Sequence, residues 1–323
     1  MKELLKSVDA KLGHPIRGVV EDWSSRKRMA VFEEDRQKRR GKFQGKTFGT
    51  KPYPRIIEEL EVHGYSRING AVDKATILKL REEFEAHLNA ATCLLPVSKD
   101  SARKPGDRSA SSTVMTQEEL KKGQEFCRTH TNNMAISEPM VNCKTTIELA
   151  FHEMLFDIAY QYLDCVPGVG GMNLRKSFAN NLSEFDTLFF HVDPNSPKFL
   201  KFFFYLNEVD ENGGPFCYVR GSHKKRFKGW QKKYRWTSDE IAEIYGKENI
   251  LNLTANVGDI IVADTNGFHR GTKVSSCDRS MLTIDYVIHT EFDGKQPGFK
   301  ISQSDVQRLS EKQRAAADFL QFV

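Results

Sequence analysis

The chain lacks any run of about 18 apolar residues, the shortest that spans a bilayer as a helix, so no transmembrane segment is expected. It lacks CxxC pairs and any dense cysteine spacing; its six cysteines stand far apart, at 93, 127, 143, 165, 217 and 277. That pattern argues against a disulfide framework or a zinc module and for reduced thiols in a cytoplasmic protein. The opening MKELLKSVDAKLGHP places Asp9 where a secretory signal carries its apolar stretch, so no leader is expected. No internal repeat and no nucleic-acid-binding motif is visible. Tryptophan is scarce, at 3 residues, whereas 22 phenylalanines and 39% hydrophobic residues in a chain of 323 can fill a thick core.

Charge is present but uneven. The net charge is +5, and residues 1–60 hold 15 Lys and Arg against 9 Asp and Glu, which accounts for the excess. A second basic run, Arg220 to Arg235, mixes 8 cations with Phe227, Trp230 and Tyr234. Either cluster could meet a phosphate-bearing partner, and the plainer alternative is solvated surface charge.

Residues 1–60 read as a basic extension, helical or partly ordered, followed by one domain over 61–323. GYSRINGAVDKATILKLREEFEAHL reads as a short strand, a turn at Gly70 and an amphipathic helix carrying Val72, Ile77, Leu78, Leu80, Phe84 and Leu88. Residues 96–115, rich in Ser, Pro, Gly and charge, predict a mobile loop or lid. A helix is expected over 145–164, opened by a capping box from Thr145 to Glu148, and another over about 304–320. From about 172 to 290 the pattern is short strands and turns: Phe199–Leu206, Phe216–Val219, Ile250–Leu253, Ile260–Ala263 and Met281–Val287. Thr237 to Glu240 should cap a short helix between them. Helices first and strands afterwards predict a mainly β fold with flanking helices, a helical layer outside a barrel or jelly roll.

The polar residues at the ends of these strands carry the chemistry. His191 and Asp193 are two apart, so on an extended strand they project from the same face. They follow the apolar Thr187-Leu188-Phe189-Phe190 and precede Pro194, at the inner end of an expected strand, where unpaired burial costs several kcal/mol. His269 ends GDIIVADTNGFH in a similar setting. Two histidines and one carboxylate form the facial triad of non-haem Fe(II) oxygenases, which leaves three positions of an octahedron open. Arg279, at the start of the last strand, is expected one strand over from His269, its fork matched to a carboxylate. The alternative is that Arg279 pairs with Asp278 or Asp285 on the surface.

The segment His191–Val287 resembles the phytanoyl-CoA dioxygenase-like family of Fe(II)/2-oxoglutarate oxygenases. The resemblance rests on HVDPNS, on FLKFFFYLNEVDENGGPFCYVRGSHKK, on GDIIVADTNGFHRGT and on the Arg279 strand; the stretch from Gly64 extends it to roughly 62–290. It implies a double-stranded β-helix, a cupin-like jelly roll with an N-terminal helical layer. It implies Fe(II) on His191, Asp193 and His269, with the far carboxylate of 2-oxoglutarate on Arg279. With O2, such an enzyme hydroxylates a C–H bond and releases succinate and CO2. Halogenating relatives lack the carboxylate that stands here at 193, so hydroxylation is the expected outcome. Arg220-Gly221-Ser222-His223 departs from the family's Pro-Gly-Ser-His; it is expected to adjust a loop, with His223 not a ligand.

Further co-substrate contacts are expected from Thr272, three residues past His269, and from Ser177 and Asn180 on the preceding strand. Lys201 is a lone cation inside FLKFFFYL, where strand parity groups it with Phe199, Phe203 and Tyr205. If that face lines the barrel, Lys201 or Tyr205 touches the co-substrate; if it meets the helical layer, Lys201 snorkels outward, the arrangement favoured here. The substrate, a small organic molecule, an acyl thioester or another anion such as a phosphate ester, is not readable. Neither is the oligomeric state. The competing function is a catalytically silent member binding a ligand or nucleic acid through its basic segments.

Overall fold

The computed structural model describes residues 15–97, 114–182, 184, 186–193, 196–230, 233–288 and 299–323. The loop or lid expected over 96–115 lies mostly outside the described residues, as do residues 1–14 of the basic extension.

Strand residues with alternating environments build two facing antiparallel sheets. The larger has six strands in the order β1 (Tyr65–Ile68), β7 (Ile260–Ala263), β4 (Leu200–Tyr205), β9 (Arg279–Val287), β3 (Gly168–Ser177) and β2 (Asn133–Ile136). The smaller runs β6 (Ile250–Leu253), β5 (Phe216–Val219), β8 (His269–Gly271). Every expected strand from β4 onward is present. The fold is mainly β with flanking helices, a jelly roll.

Strand parity divides the core. On β4 the even positions Phe202 and Phe204 turn outward into a cluster with helix residues such as Leu60, Phe84 and Leu155. The odd positions Phe203 and Tyr205 turn inward and meet Phe216 and Tyr218 of the smaller sheet. Phe203 and Phe216 stack across the gap with centroids 4.2 Å apart. The continuous apolar run is thus a strand buried on both faces.

The helical layer is built from α1 (Pro15–Lys42), α2 (Pro54–His63), α3 (Lys74–Asn89), α4 (Thr145–Ala150) and α5 (Glu153–Leu163). Asp73 caps α3, and Ile77, Leu80, Phe84 and Leu88 form its buried stripe; Leu78 faces solvent. The single helix expected over 145–164 is broken at Phe151 and His152. Thr145 does not form the expected capping box: its N–H and hydroxyl both donate to Glu83 of α3, at 3.1 and 2.9 Å. The expected box at Thr237 and Glu240 does form and starts α6 (Ser238–Tyr245). The C-terminal helix is likewise two short ones, α7 (Gln303–Arg308) and α8 (Glu311–Ala316), because Ser310 caps a fresh start.

From Met29 onward the basic N-terminal segment is packed against the body. Phe32 is buried, and Arg39 donates to the Val166 carbonyl at 2.6 Å and to Asp318 at 2.9 Å. Lys42 shares Asp318, Arg40 pairs with Asp164, and Lys46 with Glu311. These cations are therefore spent within the molecule. Arg39→Ala removes a buried side chain that bonds the Val166 carbonyl and Asp318, and should cost about 1–3 kcal/mol of unfolding free energy. Urea denaturation reads this, and a loss within error of zero would mean the segment is only resting on the surface.

Candidate metal centre

The smaller sheet assembles the candidate ligands through one short bridge. Asp186–Leu188 form a 3-10 turn, so the strand expected over Thr187–Phe190 does not exist. Only two residues are bridged: Phe190 pairs with Trp236, and His191 exchanges backbone hydrogen bonds with His269 at the edge of the smaller sheet, at 3.0 and 2.9 Å. Residues directly opposite in an antiparallel pair project from the same face. The two imidazoles consequently lie side by side, with ring centroids 4.3 Å apart. Asp193, two residues on, is anchored by its N–H to the Thr265 carbonyl at 2.9 Å.

The turn before His269 explains its placement. Asp264 accepts from the Asn266 N–H and from the Tyr162 hydroxyl, and its carbonyl takes the Tyr218 hydroxyl at 2.7 Å. Ser222 of the Arg220-Gly221-Ser222-His223 stretch accepts from the Phe268 N–H at 2.7 Å, tying that loop to the turn. A Cβ on Gly267 would overlap the Tyr218 hydroxyl, so only glycine lets the chain pass so close. His223 lies outside the group formed by His191, Asp193 and His269.

His191, Asp193 and His269 offer ligand atoms that all lie within 4.8 Å of one another. Asp193 Oδ1 is 3.7 Å from His191 Nε2, and Oδ2 is 3.6 Å from His269 Nε2. Each histidine points Nδ1 at a backbone carbonyl two residues back, Phe189 at 2.9 Å and Gly267 at 3.0 Å. A carbonyl can only accept, so Nδ1 carries the proton and Nε2 turns its lone pair toward Asp193. Burial holds both imidazoles below their usual pKa, His191 well below, with His269 adding repulsion there. Burial pushes the Asp193 carboxyl up, but Lys201 foremost and the imidazoles next outweigh it, and the acid falls well below the carboxylate range. Two neutral imidazoles and one carboxylate form a donor set that fits a divalent transition metal with open positions.

Lys201 does not snorkel. Its ammonium donates to Asp193 Oδ2 at 2.8 Å and lies 3.6 Å from Asp285 Oδ1. The odd face of β4 is the inner face, because the helical layer covers the even one. Burial works to lower Lys201, and the two carboxylates outweigh it and raise it.

Arg279 opens β9, on the larger sheet and so facing His269 across the barrel instead of one strand over within a hairpin. It pairs with neither surface acid of the alternative reading: Asp278 binds Arg128, and Asp285 neighbours Lys201. The guanidinium donates to the Gly214 carbonyl and to Ser177 Oγ, the latter at 3.1 Å. Its Nε is buried without a partner, and burial pushes the group down to about 10, still a cation at neutral pH. A buried cation with no acid among the described residues and an orphan donor fits a ligand carboxylate.

A cavity of about 200 Å³ joins these groups, with the triad, Lys201, Arg279, Phe203 and Phe216 in its wall. Of the other expected contacts, Ser177 and Thr272 line an adjoining cavity. Thr272 spends its hydroxyl on the Pro215 carbonyl at 2.8 Å. Asn180 lines neither cavity; its amide donates to the carbonyls of Arg128 and Thr131, because the chain has already left β3. Tyr205 is also not a contact: its hydroxyl accepts from the Phe216 N–H at 2.8 Å and lines neither cavity. Tyr205→Phe should cost about 1–3 kcal/mol by stranding that buried N–H. It should leave 2-oxoglutarate affinity unchanged, as calorimetry on the same protein can check.

Arg175 and Asn173, which also line the metal cavity, were not anticipated. The available signal was parity: both share the face of Ser177 on β3.

The sequence model of the phytanoyl-CoA dioxygenase (PhyH) family matches residues 60–281. No curated protein matches the chain. Among solved structures, HygX from Streptomyces hygroscopicus, with nickel, 2-oxoglutarate and hygromycin B bound, is similar with a TM-score of 0.50. The likeness covers 73% of this chain and 87% of that one at 13% identity. The non-heme alpha ketoglutarate dependent epimerase SnoN from nogalamycin biosynthesis gives a TM-score of 0.48, covering 72% and 81% at 15% identity. Such identities speak to the fold alone.

Proposed function

The chain belongs to the phytanoyl-CoA dioxygenase family, and from that membership we propose that it is an Fe(II)- and 2-oxoglutarate-dependent dioxygenase that hydroxylates a C–H bond of a small organic substrate. The observation that carries the reading is the convergence of His191, Asp193 and His269, two neutral imidazoles and a carboxylate with their donor atoms within 4.8 Å. In this reading His191 Nε2, His269 Nε2 and Asp193 hold the iron. Arg279 holds the far carboxylate of 2-oxoglutarate with the donor it has spare. Bound iron and co-substrate, with O2, supply the oxidative decarboxylation to succinate and CO2 and the delivery of one oxygen atom to the substrate.

The protein's own residues orient the reacting groups. The carbonyls of Phe189 and Gly267 fix both imidazole tautomers, so no proton has to leave a histidine before it can bind metal. Lys201 holds one oxygen of Asp193 and so fixes the carboxylate plane. Phe203 and Phe216 give the cavity an apolar wall beside the reacting groups. Against the competing reading, nucleic-acid binding through basic segments, Arg40, Lys42 and Lys46 of the N-terminal segment pair with Asp164, Asp318 and Glu311 within the chain.

The test is a substrate-library screen of anaerobically iron-loaded protein under a pulse of O2, scoring succinate release and a mass gain of one oxygen. Iron-dependent succinate release supports the reading. Protein that binds iron yet never consumes 2-oxoglutarate would favour the silent alternative.

A further inference from the structure

We infer that the substrate carries an uncharged hydrogen-bond donor, a hydroxyl or an amide N–H, and that Asn173 and Thr283 hold it beside the metal centre. This rests on the dioxygenase reading and adds to it the chemistry of one substrate group. Asn173 and Thr283 stand opposite each other on β3 and β9, and both line the metal cavity. Asn173 Oδ1 is buried without a hydrogen-bond partner, and it is the one such acceptor in the described wall of that cavity. The hydroxyl of Thr283, itself a buried residue, bonds no other described residue. A buried acceptor left unpaired costs stability, so its persistence in a cavity wall calls for a ligand that completes it.

The other occupants of the centre do not supply the missing hydrogen. 2-Oxoglutarate carries two carboxylates and a ketone, which only accept, and a metal ion carries no donor. A carboxylate set against the Asn173 oxygen would bring two acceptors face to face. The donor therefore belongs to the substrate. It is a neutral one, because Asn173 and Thr283 bring no charge to offset an ammonium. Such a group would also face the metal and the Lys201 ammonium in the same cavity.

Register places the pair toward the metal end of the cavity. Thr283 is four residues past Arg279 on β9, roughly 13 Å along the strand at about 3.3 Å per residue. It is two residues before Asp285, whose partner opposite on β4 is Lys201, the residue that bonds Asp193. The pair is thus set apart from the rung that takes the far carboxylate of 2-oxoglutarate and lies next to the one that steadies a metal ligand. One rung further, a Cβ on Gly171 would stand 2.6 Å from Asp285 Oδ2, so the Asp285 carboxyl fills that rung, and neither residue lines a cavity. In the other direction an adjoining cavity of about 210 Å³ shares Thr187 and Gly271 with the metal cavity. Val97, Phe178, Leu188 and Val274 line it and suit the hydrocarbon portion of a molecule whose polar group sits at Asn173.

The experiment is ligand-detected NMR on protein loaded anaerobically with Fe(II) and saturating 2-oxoglutarate, using matched probes: cyclohexanol against methoxycyclohexane, and hexanamide against N,N-dimethylhexanamide. The donor-bearing member of each pair should bind roughly three- to tenfold more tightly, the value of one neutral hydrogen bond. Asn173→Leu should cut that preference to below about twofold, and Thr283→Val should cut it in part. Asn173→Asp keeps an acceptor in place and should keep the preference. Neither Asn173→Leu nor Thr283→Val should move 2-oxoglutarate affinity by more than about threefold. If Asn173→Leu fails to fold, Thr283→Val, a swap of nearly equal volume, carries the test. The inference is overturned if the capped probes bind as well as the donors, which would mean that water serves the amide, or if no probe binds. It is also overturned if the preference survives both substitutions. A loss of about tenfold or more in 2-oxoglutarate affinity on Asn173→Leu would overturn it too, by assigning the amide to the co-substrate. Titrations of Fe(II) and 2-oxoglutarate on the unsubstituted protein report failure of the dioxygenase reading separately. The same probe pairs on metal-free protein still read the donor preference in that case.

Discussion

Asp193→Ala protein is expected to release no succinate above the metal-free background and to bind Fe(II) at least about 100-fold more weakly. That bound follows because loss of a mere outer partner of a ligand already costs about 10- to 100-fold. The substitution removes the one carboxylate among the three converging donors and leaves two neutral imidazoles 4.3 Å apart. It also strips Lys201 of its 2.8 Å partner, so an ammonium would face the position the dication must take. Both effects act against metal binding, and the second is particular to this chain. The measurements are anaerobic metal titration and coupled succinate release. Asp193→Ala protein that bound Fe(II) and turned over like the parent would sink the assignment of the centre. The companion Asp193→Asn keeps the hydrogen-bonding shape and separates lost charge from lost volume.

The second large effect is expected at the opposite wall. Arg279→Gln should raise the KM for 2-oxoglutarate about 30-fold or more, in line with the 2–5 kcal/mol lost when one partner of a buried charge pair is truncated. The glutamine amide can still reach toward the Gly214 carbonyl, so the wall keeps a donor while losing its fork and its charge. Fe(II) affinity should move by no more than about threefold, since Arg279 is not among the ligating groups. Arg279→Lys is not a neutral control, because an ammonium cannot reproduce two parallel bonds. Steady-state kinetics in 2-oxoglutarate together with metal titration provide the readout. An unchanged KM would remove Arg279 from the co-substrate site.

Much of this centre was legible in residue order because its chemistry is compressed into short spacings. His191-Val192-Asp193, the glycine turn before His269 and the strand that Arg279 opens are each local patterns, and the structure brings all four side chains to one cavity. What the order of residues did not reveal is which layer covers which face. Parity grouped Lys201 with Phe203 and Tyr205 correctly, yet whether that face was inside depended on the helices covering Phe202 and Phe204. The strand expected before His191 failed for a related reason: β8 offers only three residues to pair with, so a strand there has little to lie against. The break at Phe151 and His152 has a local cause, a histidine ring that accepts from the Met154 N–H and starts a new helix. The packing of Arg39 is legible only with Asp318 in view, 279 residues away. Arg175 is legible by parity, since it lies two residues before Ser177 and so on the same face of the strand.

The backbone bridge between His191 and His269 has a kinetic consequence. Two reciprocal hydrogen bonds fasten the segment before Asp193 to the edge of β8, and Asp186–Leu188 just upstream form a turn without ladder partners. Such a short tie belongs to the low-energy end of local opening, well below global unfolding. A ligand that requires the closed arrangement slows opening in proportion to its occupancy. Amide hydrogen exchange at His191 and His269 is therefore a built-in gauge of whether the centre is filled. It should be fast in metal-free protein and slow in loaded protein, while the amides at the middle of β9 stay unchanged.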